Sequence, residues 1–410
     1  MKESKKVIYL YTAFQFFYTL LVWVPVFYEY QKLSGVSDFQ IFRIQSLYYI
    51  VFCFLEIPTG YLADRLGYKK CLIWGAGTLI FANLLPIFAA HYIGFLCHFL
   101  LIALSRSFIS GASSAYLYEY LQQNQVQHEY AKVEGKARAI SLFGKVFCWA
   151  IVGFLMKWHS TLPYWITTFN AIVSLFFVLK LPEISFQKST HKSPLQGTLK
   201  ALKYLGSNFY LVFIIIQGIG IFTLTRLCQV NLYQPILNSK NFTLYSFGWI
   251  MSLMTLSEAL GSFFPQIFRL FTKNRQIVSL TTIAMGVTLF LIPYADKVFT
   301  LILLLIFSLA SGIAFPIQKQ LINDAIQEKT QFRATLLSLE SIVDRAVCAW
   351  MAALIGSSLQ EGKLNYFLTQ SGIFSCLGIL ILSLAFMMMR SHHKSKSLDL
   401  STSLEEGAFS

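Results

Sequence analysis

Glu56-Ile57-Pro58-Thr59-Gly60-Tyr61-Leu62-Ala63-Asp64-Arg65-Leu66-Gly67-Tyr68-Lys69-Lys70 closes one apolar run and leads into another. The run before it, about 40–62, and the run after it, about 72–90, are each long enough to cross a hydrocarbon core ~30 Å thick. The same punctuation repeats along the chain: apolar runs of about 20 residues are separated by short polar breaks where Lys and Arg collect. Charged residues make up 13% of the 410 residues, whereas a soluble domain carries roughly 25%, so much of this surface faces lipid rather than water. The spacing predicts twelve helices, near 8–28, 40–62, 72–90, 93–118, 139–157, 163–180, 208–230, 244–268, 277–295, 298–318, 335–358 and 366–389. The expected fold class is an all-α integral membrane protein.

Orientation follows from the 33 Lys and Arg. With the N-terminus inside, the inner loops and ends hold 23, and the opposite loops hold five: Lys32, Lys157, Lys240, Lys297 and Lys363. This bias places both termini in the cytoplasm of a multi-pass protein of the cytoplasmic (inner) membrane. The net charge of +14 belongs to those loops, so no nucleic-acid partner is expected. The seven cysteines lie in or beside apolar spans without paired spacing and suit neither a disulfide framework nor a zinc site. A short basic head without a small-residue cleavage site precedes the first span, which implies a retained helix rather than a signal peptide. A monomer in the lipid bilayer is the expected unit.

Two halves emerge from internal echoes. Gly60 recurs as Gly261 and Ser110-Gly111 as Ser311-Gly312, both at an offset of 201. Arg138-Ala139 recurs as Arg333-Ala334 at 195. Matching helices at nearly one offset suggest two pseudo-symmetric six-helix halves, 1–180 and 208–390. A cytoplasmic loop, 181–207, joins them, and a polar, mobile tail is expected over 391–410. Within the loop, Leu195 to Leu205 suits a short amphipathic helix on the inner surface, or a plain linker.

The Gly60–Lys70 segment resembles the loop signature of the major facilitator superfamily. Glu56 to Gly60, Ser110 to Leu121 and Arg333 to Leu339 resemble its bacterial drug-efflux-like, proton-antiporter branches. Tyr68 departs from the signature's usual basic residue, and the second-half counterpart has Pro265 where the first half has Asp64. The resemblance implies a gate at the inner end built from Gly60, Asp64, Arg65, Gly67, Lys69, Lys70 and Glu119. In it Gly60 would permit close helix approach, Asp64 would sit at the N-terminus of helix eleven, and Arg65 would reach Glu119. It also implies that the first and fourth helices of each half line a cavity. Helix two would meet helix eleven, and helix five helix eight.

Ionisable residues inside spans cost at least ~2.5 kcal/mol near the bilayer centre, which marks them as functional candidates. Arg106, midway along helix four among Ser105, Ser107 and Ser110, is expected to contact substrate or take part in coupling. Arg43 and Arg226 fall near the outer ends of their predicted helices, where snorkelling is expected. Glu340 and Asp344 share one face of helix eleven and suit either a proton site or pairing with neighbouring cations. Glu56 and Glu258 are 202 apart, and Lys145 and Arg345 are 200 apart. On the implied packing these become two symmetry-equivalent inter-half ion pairs, Glu56–Arg345 and Lys145–Glu258. Both are expected to close when the cavity faces outward and to part when it opens inward.

The expected function is a secondary transporter that moves a small organic molecule by alternating access with proton coupling, a drug-like substrate being favoured. A siderophore or other polycarboxylate anion is the alternative substrate, and a non-transporting membrane sensor the alternative class. No G-x-x-x-x-G-K-[ST] loop is present, and the seven histidines are scattered. No enzyme activity, cofactor or metal is therefore expected.

Overall fold

The computed structural model describes residues 2–126, 129–184, 203–206, 208–263, 273–326 and 333–406. The long helices are α1 (Lys5–Leu33), α2 (Asp38–Leu66), α3 (Tyr68–Phe88), α4 (Tyr92–Gln123) and α5 (Tyr130–Ala150, bent by 45° into Val152–Trp158). They continue as α6 (Leu162–Leu179), α7 (Phe209–Ser239), α8 (Leu244–Phe263), α9 (Asn274–Leu291), α10 (Lys297–Ala325), α11 (Arg333–Gln360) and α12 (Leu364–Glu406). Among the described residues nine helices are long and apolar enough to span a membrane, and the bent α5 makes ten. α2 and α8, which carry Glu56 and Glu258 among Ser, Thr and Tyr, complete the arrangement.

Packing repeats between the halves. α2 lies on α4, α3 on α4 and α6, and α1 on α5 and α6; correspondingly α8 lies on α10, α9 on α10 and α12, and α7 on α11 and α12. Two seams join the halves, α2 against α11 and α5 against α8. The outward faces carry Phe54, Phe81, Phe88, Phe169, Trp350 and Phe374, all exposed. That is the inverse of a soluble surface, and it suits helices whose outer solvent is hydrocarbon.

In α1 and α7 the backbone leaves helical geometry beside a cavity between the helices. α1 stops at Thr19 and resumes through a 3₁₀ turn, Val24–Val26, because Pro25 has no amide N–H to offer. The freed groups are satisfied from neighbouring helices: Asn170 Nδ2 donates to the Leu20 carbonyl (3.2 Å), Trp149 Nε1 to the Leu21 carbonyl (2.9 Å), and the Val22 amide donates to Thr167 Oγ1 (3.0 Å). α7 has a π-helical turn, Leu227–Leu232, and runs on to Ser239, nine residues beyond its predicted end at 230. α5 also starts earlier than predicted, at Tyr130 rather than 139, and the last helix continues to Glu406 through the stretch expected as a polar tail. The amphipathic stretch expected for Leu195 to Leu205 lies mostly outside the described residues.

The signature loop is partly different from expectation. Gly67 has φ +97°, which a side chain would strain, and it ends α2 while starting α3. A Cβ at Gly60, by contrast, would meet nothing within 4 Å among the described residues, so no close helix approach is seen at this glycine. That role falls to its counterpart: a Cβ at Gly261 would strike the Leu309 carbonyl, and one at Gly312 the Glu258 carbonyl, so α8 and α10 cross backbone to backbone.

Candidate functional site

A cavity of about 440 Å³ lies between the halves, walled by α1, α2, α4, α7 and α11. The break in α1 turns Tyr18, Trp23 and Phe27 towards it, and α2 contributes Gln45, Tyr48, Tyr49 and Phe52. Gln45, Tyr48, Phe52 and Glu56 follow helical spacing along one stripe of α2. Three arginines line the cavity, Arg106 on α4, Arg226 on α7 and Arg345 on α11.

Two of these cations are neutralised by acids. Arg226 Nη2 lies 3.1 Å from Asp344 Oδ2, and Thr223 Oγ1 donates to Asp344 Oδ1 at 3.4 Å. Arg345 Nη1 is paired with Glu56 Oε2 across the α2–α11 seam, and its guanidinium rests 3.8 Å from the Phe52 ring centroid. Arg106 is different: its Nη1 donates to the Tyr48 hydroxyl at 3.0 Å, and among the described residues no carboxylate lies within ion-pair distance. It sits deep in the bundle with its surface open to the cavity. Glu340, one turn before Asp344 and only 2% exposed, pairs with Lys319 of α10 at 3.6 Å.

At the end opposite the termini, hydrogen bonds bridge the halves. The Tyr28 and Glu29 amides donate to Gln234 Oε1 (3.0 and 3.3 Å), Gln234 Nε2 donates to the Val24 carbonyl (3.2 Å), and Asn238 Nδ2 donates to Glu29 Oε1. Phe154 and Lys157 pack on Tyr245 at the same end. Nearer the termini, Arg138 lies over the Phe315 ring at 5.8 Å. On α1, Tyr11 donates to Glu134 Oε2 at 2.9 Å and shares a 2.9 Å bond with Ser113, a cluster the sequence did not single out.

Several expectations are revised. Lys145 and Glu258 do not form the second inter-half pair: Glu258 accepts instead from Gln229 Nε2 at 3.0 Å, and Lys145 lies over the Trp149 ring at 5.8 Å. The π-helical turn of α7 delivers Gln229 to Glu258 from within the same half. Of the two expected inter-half pairs, then, Glu56–Arg345 is made and Lys145–Glu258 is not, so the pairing is not symmetric in this structure. Arg226 does not snorkel, because the extension of α7 to Ser239 puts it inside the span rather than at its tip. Arg65 lies over the Tyr61 ring at 4.7 Å, and no ion pair joins it to Glu119 among the described residues. Lys69 pairs at 3.5 Å with Glu183, after α6, and Lys70 is exposed. The side chain of Asp64, and those of the first turns of α11 proposed to face it, lie outside the described residues.

A second, larger crevice of about 700 Å³ lies between α7, α11 and α12, without a charged residue in its lining. Its rim carries exposed apolar side chains such as Trp350 and Phe374.

The fold has solved counterparts. It is similar to the nucleoside transporter NupG (15% identity, 95% of this chain and 99% of that one, TM-score 0.71). It is also similar to a mutant of the peptide transporter POT in complex with sulfate (13%, 95% and 94%, 0.75) and to a D-xylose-proton symporter (12%, 92% and 96%, 0.72). Identities this low support the fold alone. No curated protein matches the sequence. The profile of the Major Facilitator Superfamily matches residues 7–343, most of the chain, and the protein belongs to that superfamily.

Proposed function

We propose that the protein is a proton-coupled secondary transporter, moving a small organic solute across the cytoplasmic membrane by alternating access. Both termini would face the cytoplasm. The observation that carries this is the central cavity between two pseudo-symmetric halves, charged within and bridged at one end by hydrogen bonds that cross between the halves. A binding site shared by two rocking units is the arrangement that alternating access requires. The proteins of similar fold carry names that include nucleoside, peptide and xylose–proton transport, which supports a carrier of small solutes here.

Proton coupling has its chemistry in α11. Asp344 and Glu340 are buried carboxylates held by Arg226 and Lys319. A proton arriving on Asp344 discharges it and frees Arg226 towards the cavity, so proton and solute occupancy become linked through one ion pair. The likeness of Glu56 to Gly60, Ser110 to Leu121 and Arg333 to Leu339 to efflux branches favours a drug-like solute and export, whereas the three lining arginines favour an anion. The test is flux in liposomes under an imposed pH gradient. Solute movement that follows the gradient and collapses with a protonophore supports the proposal; movement indifferent to the gradient contradicts proton coupling.

A further inference from the structure

The cavity's charges and hydrogen-bonding groups are unevenly filled, and the deficit has one sign. Among the described residues, its lining and the acids that reach it hold three cations, Arg106, Arg226 and Arg345, against two carboxylates, Asp344 and Glu56, both already engaged. One positive charge is left over, on Arg106. The unpartnered polar atoms agree. Gln45 is 1% exposed and its Nε2 has no acceptor, and Arg345 Nε is likewise buried without one. The Tyr48 hydroxyl accepts from Arg106, which leaves its own proton to donate elsewhere. Among the described residues lining this cavity, none presents a buried, unpartnered acceptor. Buried donors without partners are costly, more so in a membrane, unless a ligand supplies the acceptors. Trp23, Phe27, Phe52 and Phe99 give the wall flat aromatic surface, beside aliphatic residues such as Ile102 and Ile109.

We infer that the solute is an organic monoanion, an aromatic monocarboxylate, whose carboxylate is bound by Arg106 with Tyr48 and Gln45 while its ring lies among the aromatic side chains. The inference rests on the transport proposal above and narrows it to one substrate class. Among the described lining residues a lipophilic cation finds no free acid. A dianion or trianion finds one unneutralised cation in that lining unless Glu56 or Asp344 gives up its partner. Arg106 sits on α4 and Tyr48 on α2, so a carboxylate bridging them also ties two helices of one half together at the cavity wall.

Indole-3-acetate, its methyl ester, citrate, tetraphenylphosphonium and uridine serve as probes on the purified full chain. Thermal unfolding of the wild-type protein separates charge from shape: the acid is expected to raise Tm and the ester to leave it unchanged. Equal shifts from acid and ester would overturn the inference. In liposomes with a pH gradient, labelled indole-3-acetate is expected to move, and Arg106→Gln to weaken its half-saturation at least ~10-fold, with Arg106→Lys recovering part of that. Gradient-driven flux of citrate, tetraphenylphosphonium or uridine without indole-3-acetate sinks the monoanion and leaves the transport proposal standing. If no probe moves under the gradient and none shifts Tm, both fall.

Discussion

Single side chains divide into those whose chemistry shows in sequence and those that need a partner to be seen. Arg106 announces itself because a charge within an apolar run has few bland explanations. Tyr48, which accepts its hydrogen bond, and Gln45, which lines the same cavity, are neutral and unremarkable among the other polar residues of α2. Glu56 and Arg345 were legible because internal symmetry and the seam between helices two and eleven together implied a pair. Their partnership gives the first prediction. Glu56→Gln leaves Arg345 buried without its carboxylate and is expected to cost ~3–5 kcal/mol of stability, whereas Glu56→Arg combined with Arg345→Glu restores most of it. Thermal unfolding in detergent measures both; a double swap no better than Glu56→Gln contradicts a pairwise role.

Helices show a different pattern of success. Their number and order follow from apolar run length, but their ends and irregularities do not. The π-helical turn in α7 leaves no hydropathy signal, yet it presents Gln229 to Glu258, and the continuation of the helix to Ser239 puts Arg226 inside the span. Glycine motifs likewise name positions without naming contacts, as Gly60 and its echoes show. Gly312→Ala is expected to destabilise by ~1–3 kcal/mol because its Cβ would meet the Glu258 carbonyl, while Gly60→Ala has open space and should cost little of tertiary packing. The same unfolding assay compares them, and equal losses would contradict the close α8–α10 crossing. The break in α1 makes a further prediction. Asn170→Leu strands the Leu20 carbonyl and should cost ~1–3 kcal/mol, with the cavity residues Trp23 and Phe27 displaced and probe binding weakened as well.

At the scale of the whole molecule, two six-helix halves enclose a charged cavity and are held together at one end by the Gln234 and Asn238 hydrogen bonds. Gln234→Leu removes three of those bonds, from Tyr28, Glu29 and to Val24, and is expected to shift the population towards opening at that end. The central claim is that the cavity is reached from one side at a time. Ser110, on the cavity wall, offers the direct probe as Ser110→Cys in a cysteine-free background in oriented vesicles. Membrane-impermeant thiol reagents are applied from each side, with and without Gln234→Leu. Labelling is expected from the terminus-bearing side in the parent, with a gain of labelling from the opposite side when Gln234 is replaced. Equal labelling from both sides in the parent, or none from either side in both proteins, would contradict it.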